Sequence, residues 1–413
     1  MSAGTAAPSG ADFDIAIVGG GLVGASLAVA LEGSGLSVAL IEAAQPPASA
    51  PAWDERCIAL NDASLRIFTG MGVWPELAPE SAAILATHIS ERGRFGTARF
   101  SAEDAGIAAL GANAPLRAIG AALWRRLAPG GVRLLCPASV SGIEVDGTAA
   151  TLYLSTGETG SDETLRARLV VAADGARSAL RELLELDAQV RDYHQHAIVS
   201  AVRLFRSHEG VAYERFTPEG PLALIPKGSA AERSRCASLV WTQPSDAVPD
   251  LMALSDADYL ARAQEAFGGR LGRFTELGRR WSYPLSRVIG ERRDTPRVVF
   301  IGNAAQSLHP VAAQGFNLGL RDVATLAQLL RDEPAGTRDP GDAALLAEFR
   351  SRRAQDRDSV SGMTDLMVRI FSNSVPGLAQ TRHWGLVAVN LLPGLRGAVM
   401  RQHLGHLGLP RAS

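Results

Sequence analysis

Apolar residues along this chain gather in short runs that end in glycine or proline turns. Asp14-Ile15-Ala16-Ile17-Val18 is the first such run, and its continuous apolar character fits a strand buried on both faces. The spacing over Leu22 to Glu32 predicts a helix, and Ser37 to Ile41 a second strand. Together these form a βαβ unit at the start of the fold. A Pro/Ala loop follows from Gln45 to Pro51. A helix is then expected from Asp62, the expected N-cap, to a close near Gly70 and Gly72. Leu169 to Ala173 and Val298 to Ile301 read as further core strands of the same sheet.

Two blocks break this pattern, residues 83–114 and 189–285. Short β-like runs such as Ala197 to Val202 and Ala237 to Trp241 alternate there with turn-rich stretches. They are expected to form an antiparallel sheet inserted into the nucleotide-binding unit. The fold class is therefore α/β, a Rossmann-like domain with an inserted β-sheet domain and a helical C-terminal region. The expected division is a disordered leader over 1–12, the nucleotide-binding domain over 13–82, 115–188 and 286–348, the inserted domain over 83–114 and 189–285, and helices over 349–413.

Composition narrows the function classes. A chain of 413 residues suggests two or three structural units, and a net charge of -2 gives no electrostatic case for nucleic acid. Lys227 is the only lysine, so lysine Schiff-base chemistry has a single candidate. Cys57, Cys136 and Cys236 are scattered and odd in number, which fits a reducing cytoplasm and gives no metal-ligand pair. His194 and His196 are spaced to share a strand face, but no further ligand cluster accompanies them, so no metal is expected. Residues Met1 to Ala11 lack the pattern of a signal peptide, and no apolar run reaches the ~18 residues of a membrane span. A cytoplasmic protein, at most peripheral on a membrane, is expected.

Three glycine motifs follow buried strands. Gly19-Gly20-Gly21-Leu22-Val23-Gly24 is a G-x-G-x-x-G at the strand–helix turn. Gly19 permits the turn, Gly21 lets a pyrophosphate approach, and Gly24 allows close helix–strand packing. The helix N-terminus offers free N–H groups to phosphate, and Glu42 at the end of the second strand suits a ribose hydroxyl. Asp174-Gly175 follows the later strand and alone would be an ordinary turn. The third motif runs from Gly302 and Asn303 through His309 and Pro310 to Gly315, Phe316, Asn317 and Asp322. A helix N-terminus there could face the flavin edge where negative charge gathers on reduction.

In this order the motifs resemble the single-component flavoprotein aromatic hydroxylases related to p-hydroxybenzoate hydroxylase. Within that class the chain resembles the ubiquinone-biosynthesis hydroxylases. Asp54-Glu55-Arg56-Cys57-Ile58-Ala59-Leu60 is similar to their D-x-R-x-x-A-L segment, and Gly72-Val73-Trp74 to the following G-x-W. The wider class carries Gly-Asp where this chain has Gly302-Asn303, a departure that matches the ubiquinone branch. Glu209 to Thr217, Gly220 to Pro226, Ala266 to Gly268 and Ser282 to Leu285 are similar to the members that act on a polyprenyl methoxyphenol.

The resemblance implies FAD as cofactor, NADPH or NADH as reductant, and a prenylated phenol and O₂ as substrates. Gly19, Gly21 and Gly24 would hold the pyrophosphate and Glu42 the adenosine ribose. Arg56 and Arg117 would reach the phosphate–ribityl region, with a salt bridge as the alternative for either. Asp174 would lie near flavin and nicotinamide. Gly302, Asn303, His309, Pro310, Gly315, Phe316 and Asn317 would surround the ring. In that class a flavin C4a-hydroperoxide delivers OH to the phenol, so no side-chain nucleophile is required and none is assigned. Phe216, Leu222, Leu224, Pro226 and Trp241 are the candidates for an apolar substrate pocket, with ordinary sheet core as the competing reading. The stretch Met367 to Leu407, with Ile370, Phe371, Trp384, Leu391 and Leu392, reads either as a partner or inner-membrane face or as packing against the FAD domain. Other ubiquinone-biosynthesis proteins are the partners the resemblance implies. The rival functions are a same-family hydroxylase acting on another ubiquinone-ring position or another phenolic substrate, an NAD-linked dehydrogenase, and a non-catalytic flavin-binding scaffold.

Overall fold

A computed structural model describes residues 10–45, 52–94, 96–128, 131–156, 161–228, 234–290, 294–307, 314–332, 338–371 and 393–406. The first sheet contains β1 (Phe13–Val18), β2 (Val38–Ile41), β8 (Val132–Leu135), β9 (Ala138–Val145), β10 (Ala150–Thr156), β11 (Ser161–Ala172), β18 (Asp294–Thr295) and β19 (Val298–Phe300). Its order is β18-β19-β11-β1-β2-β8, and β19, β11, β1, β2 and β8 run parallel. The β9–β10 meander adds antiparallel strands to β11.

Burial on both faces is visible residue by residue. Ile15 and Ile17 of β1 face a core shared with α1 (Leu22–Ala30), α5 (Leu116–Leu127) and α9 (Gln314–Arg331). Ala16 and Val18 face the opposite way, against Ala150, Leu152 and Val170. A strand with apolar partners on both sides has no polar face to alternate with, which is why the sequence shows a solid apolar run.

The second sheet has the order β20-β17-β12-β15-β14-β13-β5-β6, with β16 paired to β12. Its strands are β5 (Ala86–Glu91), β6 (Thr97–Ser101), β12 (Ala188–Leu204), β13 (Val211–Phe216), β14 (Pro221–Pro226), β15 (Cys236–Pro244), β16 (Phe274–Leu277), β17 (Trp281–Gly290) and β20 (Gln306–Ser307). The pairing is antiparallel except between β13 and β5, which run parallel. Helices α7 (Val248–Ala253) and α8 (Asp256–Phe267) cover one face, where Leu222, Leu224, Trp241 and Tyr259 are buried together. A third sheet joins β3 (Cys57–Asn61), β7 (Gly111–Pro115) and β4 (Ala82–Ile84). The remaining helices are α2 (Asp62–Gly70), α3 (Trp74–Leu77), α4 (Ala102–Ala105), α6 (Ala179–Leu183), α10 (Ala343–Phe371) and α11 (Pro393–His403).

Several expectations need correction. Block 83–114 is not one piece of the inserted sheet, because only β5 and β6 join it while β4 and β7 pair with β3. Conversely, β20, from the segment assigned to the nucleotide-binding unit, pairs with β17. The N-cap of α2 is Asn61, whose side chain accepts the Ser64 N–H; Asp62 is the first helical residue. His194 and His196 do not share a strand face. A bulge between Asp192 and Gln195 puts His194 at φ 53 and out in solvent, while His196 bonds Ser282 Oγ at 2.9 Å. Among the described residues no cluster of three metal-ligating side chains exists. No described helix is long and apolar enough to cross a membrane. Residues 1–9 lie outside the described residues, as do the side chains of Ile370, Phe371, Trp384, Leu391 and Leu392.

Candidate active site

The glycine turn after β1 is built by close approach. Gly19 has φ 103, and a Cβ there would lie 2.6 Å from the Ala173 carbonyl oxygen. A Cβ on Gly24 would overlap the Gly19 carbonyl oxygen, so helix α1 packs directly on the turn. Gly21 differs: a Cβ would meet nothing within 4 Å. It caps α1 without any side-chain bond, which leaves the first-turn N–H groups free. Glu42 is anchored beside it, accepting the Gly20 N–H at 2.5 Å and the Ala44 N–H at 3.0 Å. Trp124 Nε1 donates to the Gly20 carbonyl at 3.2 Å and fixes α5 against the turn. Open space over free helix-terminal donors, beside a fixed carboxylate, fits the pyrophosphate and ribose of FAD. Asp174 holds the Leu180 N–H at 3.1 Å, and its buried Oδ1 has no partner.

The two arginines are both engaged within the chain. Arg56 donates to Tyr283 Oη at 2.7 Å and lies over the Trp281 and Tyr283 rings. Arg117 is paired with Glu55 at 3.0 Å and also with Glu80. Arg117 thus forms the salt bridge given as its alternative, whereas Arg56 hydrogen-bonds and stacks on aromatic rings instead. Glu55, from the segment quoted for the family resemblance, is the anchor that the sequence did not single out.

The late glycine loop is held from behind. Gly302 has φ 57, and a Cβ there would press on Val23 at 3.0 Å. Gly319 of α9 meets the same Val23, so α9, α1 and the loop converge on one side chain. Asn317 accepts the Asn61 N–H at 3.0 Å and the Ser64 hydroxyl at 2.7 Å, and it donates to the Ala59 carbonyl at 2.9 Å. It therefore locks the first turn of α9 to β3 rather than reaching outward. His309 and Pro310 lie outside the described residues.

Between this loop and the second sheet is a cavity of about 430 Å³. Asn303, Gly315, Phe316 and Asn317 line one side, and Cys57 to Asn61 of β3 line another. The sheet contributes Ala197 and Val199, Ala212 and Glu214, Ala223 and Ile225, and Val240 and Thr242, the period-two set of four neighbouring strands. Phe216, Leu222, Leu224, Pro226 and Trp241 do not line it. Leu222, Leu224 and Trp241 point to the opposite face, against α7 and α8. On β14 and β15 the candidates are one residue out of register, and their neighbours across the pleat, Ala223, Ile225 and Val240, take the place; Phe216 shares the parity of Glu214 but is not among the lining residues. Among the lining residues that the sequence did not single out are two titratable ones, Glu214 and His403. Burial pushes the Glu214 carboxyl up to about 7 and holds the His403 imidazole below its ordinary value. Lys227 is buried beside the cavity wall, donating to the Glu55 carbonyl and to Cys57 Sγ at 3.3 Å.

A parallel sheet with a glycine turn at a helix N-terminus and an apolar chamber under a second sheet suit a dinucleotide-dependent enzyme, and the relatives make that class the FAD-dependent monooxygenases. The FAD binding domain family matches residues 12–360. Ubiquinone hydroxylase UbiL of Rhodospirillum rubrum is 38% identical over 400 residues, covering 96% of this chain and 90% of that protein. The 3-demethoxyubiquinol 3-hydroxylase of Escherichia coli is 31% identical, covering 95% and 98%. Among solved structures, p-nitrophenol 4-monooxygenase PnpA from Pseudomonas putida shares the fold at a TM-score of 0.76 and 17% identity, covering 97% and 99%. The chain belongs to the ubiquinone-biosynthesis family of FAD-dependent hydroxylases.

Proposed function

We propose that the protein hydroxylates the aromatic ring of a polyprenyl methoxyphenol in ubiquinone biosynthesis, with NADPH or NADH as reductant and O₂ as oxygen source. The observation that carries this reading is the cavity of about 430 Å³, which joins the glycine loop to the inserted sheet. That volume suits a single substituted ring, and its wall is apolar with few polar groups. Bound FAD would activate oxygen and transfer one atom to the ring. The chain's own part is to bind, orient and dry the site. Gly19, Gly21, Gly24 and Glu42 would hold the dinucleotide half, and Asn303, Gly315 and Phe316 would line the ring half. Ala223, Ile225 and Val240 would press the phenol toward them and exclude water.

A second reading, hydroxylation at another position of the same ring, is favoured by the relative whose name is 3-demethoxyubiquinol 3-hydroxylase. A prenyl substrate resides in lipid, so peripheral contact with the inner membrane and with other enzymes of the pathway belongs to the proposal. Aerobic incubation with NADPH and a short-chain prenyl methoxyphenol tests it. One added oxygen para to the phenol hydroxyl supports the first reading. Addition at another ring carbon supports the second, and an unmodified ring removes both.

A further inference from the structure

We propose that Glu214 is the group that takes the proton from the substrate's ring hydroxyl, an inference that rests on the phenol hydroxylation proposed above. Its position follows from the register of the second sheet. Glu214 pairs with Ala223, Ala223 with Val240, and Val240 with Val199, and this cross-strand row lines the cavity. Three of these four positions are small or apolar, so the one carboxylate stands on an apolar wall. Glu214 is the only acidic side chain among the described lining residues, and no lysine or arginine lines the cavity with it. No hydrogen bond or ion pair to its carboxylate is found among the described residues, unlike Glu42, Glu55 and Asp322, which are all engaged.

A half-buried carboxylate on an apolar wall is partly desolvated, and no partner among the described residues offsets that cost. Burial raises its proton affinity to about 7, where a carboxylate is half-ionised at neutral pH and best suited to general-base work. The other titratable lining groups come from each neighbouring element: Cys57 of β3, Tyr213 of β13, Tyr283 of β17 and His403 of α11. Burial drives the Cys57 thiol and the Tyr213 phenol upward, so both stay protonated at neutral pH. His403 is driven down and stays neutral there, bonded toward Thr87 at 3.5 Å.

The step balances without a further reactant. The substrate O–H bond breaks and its proton passes to a Glu214 carboxylate oxygen. The freed electron pair enters the ring, and the carbon ortho or para to the ring oxygen bonds one atom of O₂ as the O–O bond breaks; the other atom leaves as water, and NADPH or NADH supplies the two electrons this requires. Loss of the ring proton from that carbon then restores aromaticity.

The test uses the full-length, FAD-loaded protein and a short-chain prenyl methoxyphenol at saturating NADPH. Wild-type turnover should rise with pH through a midpoint near 7, as Glu214 ionises. Glu214→Gln should lose that limb and roughly 100-fold in kcat while keeping its bound-flavin spectrum, whereas Glu214→Asp should keep the limb. A wild-type profile flat through neutral pH overturns the inference without any variant, as does a Gln variant that keeps the limb. Failure of the wild type to form any hydroxylated product removes the phenol hydroxylation itself and this inference with it. Product formed at a pH-independent rate removes the inference alone.

Discussion

Asp322 Oδ2 accepts the backbone N–H of Gly302 at 3.1 Å, so the loop at the cavity is held by a carboxylate from the third turn of α9. The other oxygen of the same carboxylate takes Arg353 Nε at 2.8 Å and Arg357 Nη2 at 3.0 Å, both from α10. Asp356 closes the cluster against Arg321 and Arg353. All five side chains are buried. Burial alone would raise the Asp322 carboxyl, but Arg357 and Arg353 hold it below its ordinary value.

Replacing Asp322 by Asn leaves two guanidinium groups buried without their shared counter-charge. Breaking one partner of a buried ion pair costs ~3–5 kcal/mol, so the melting temperature should fall steeply. Flavin content should fall with it, since the single amide oxygen cannot serve Gly302 and the two arginines together. Calorimetry with flavin absorbance on the same sample reads both; an unchanged melt would show that the cluster stabilises nothing.

Gly21→Ala and Gly24→Ala should part company. Gly21 has room for a methyl group and an ordinary φ of -63, so its variant should fold with a stability change within ~0.5 kcal/mol. In the proposed FAD site its new methyl would occupy the space open to pyrophosphate, so FAD affinity should drop. Gly24→Ala drives a methyl into the Gly19 carbonyl and should lose folding and FAD together. Titration of the apoproteins with FAD, alongside apoprotein melts, separates the two.

The two faces of β14 predict opposite phenotypes. Leu224 is buried against α8, so Leu224→Ala should cost ~2–5 kcal/mol of stability with KM for the phenol little changed once folded. Ile225 faces the cavity, so Ile225→Trp should raise KM or abolish turnover while bound FAD remains. Equal effects of both on KM would contradict the assignment of faces.

Asp62 joins the C-terminal segment to α2 through His406 Nε2 at 2.7 Å, and it also holds Arg66. Burial opposes ionisation, yet hydrogen bonds from His406 and Arg66 leave the carboxyl below its ordinary value. A depressed carboxylate stabilises the fold fully above its unfolded value of ~3.9 and loses that contribution as pH falls through the lower folded value. His406→Ala should therefore flatten the acid limb of stability and cost about 1 kcal/mol or less at neutral pH, read by urea melts across the acid range.

The glycine cradle was legible because each of its residues answers to a local geometric demand. Gly19 needs a positive φ, Gly24 needs contact, and both demands fall within one turn of chain. The cavity wall was not legible for the opposite reason. β14 is apolar on both faces, so Leu222 and Leu224 look no different from Ala223 and Ile225, and only the helices packed on one side decide the matter. Asp322 was quoted as part of the late motif, but its partners Arg353 and Arg357 lie on another helix with no pattern linking them. Glu214 lay within a segment quoted only for its family resemblance, and its place on the cavity wall follows from the sheet register.

The most direct test of the account is a single turnover mixture of FAD-loaded protein, NADPH, isotopically labelled dioxygen and a short-chain prenyl methoxyphenol, analysed by mass spectrometry. The account predicts a ring-hydroxylated product carrying one labelled oxygen. NADPH consumed with the phenol unchanged, or a product whose oxygen comes from water, would contradict it.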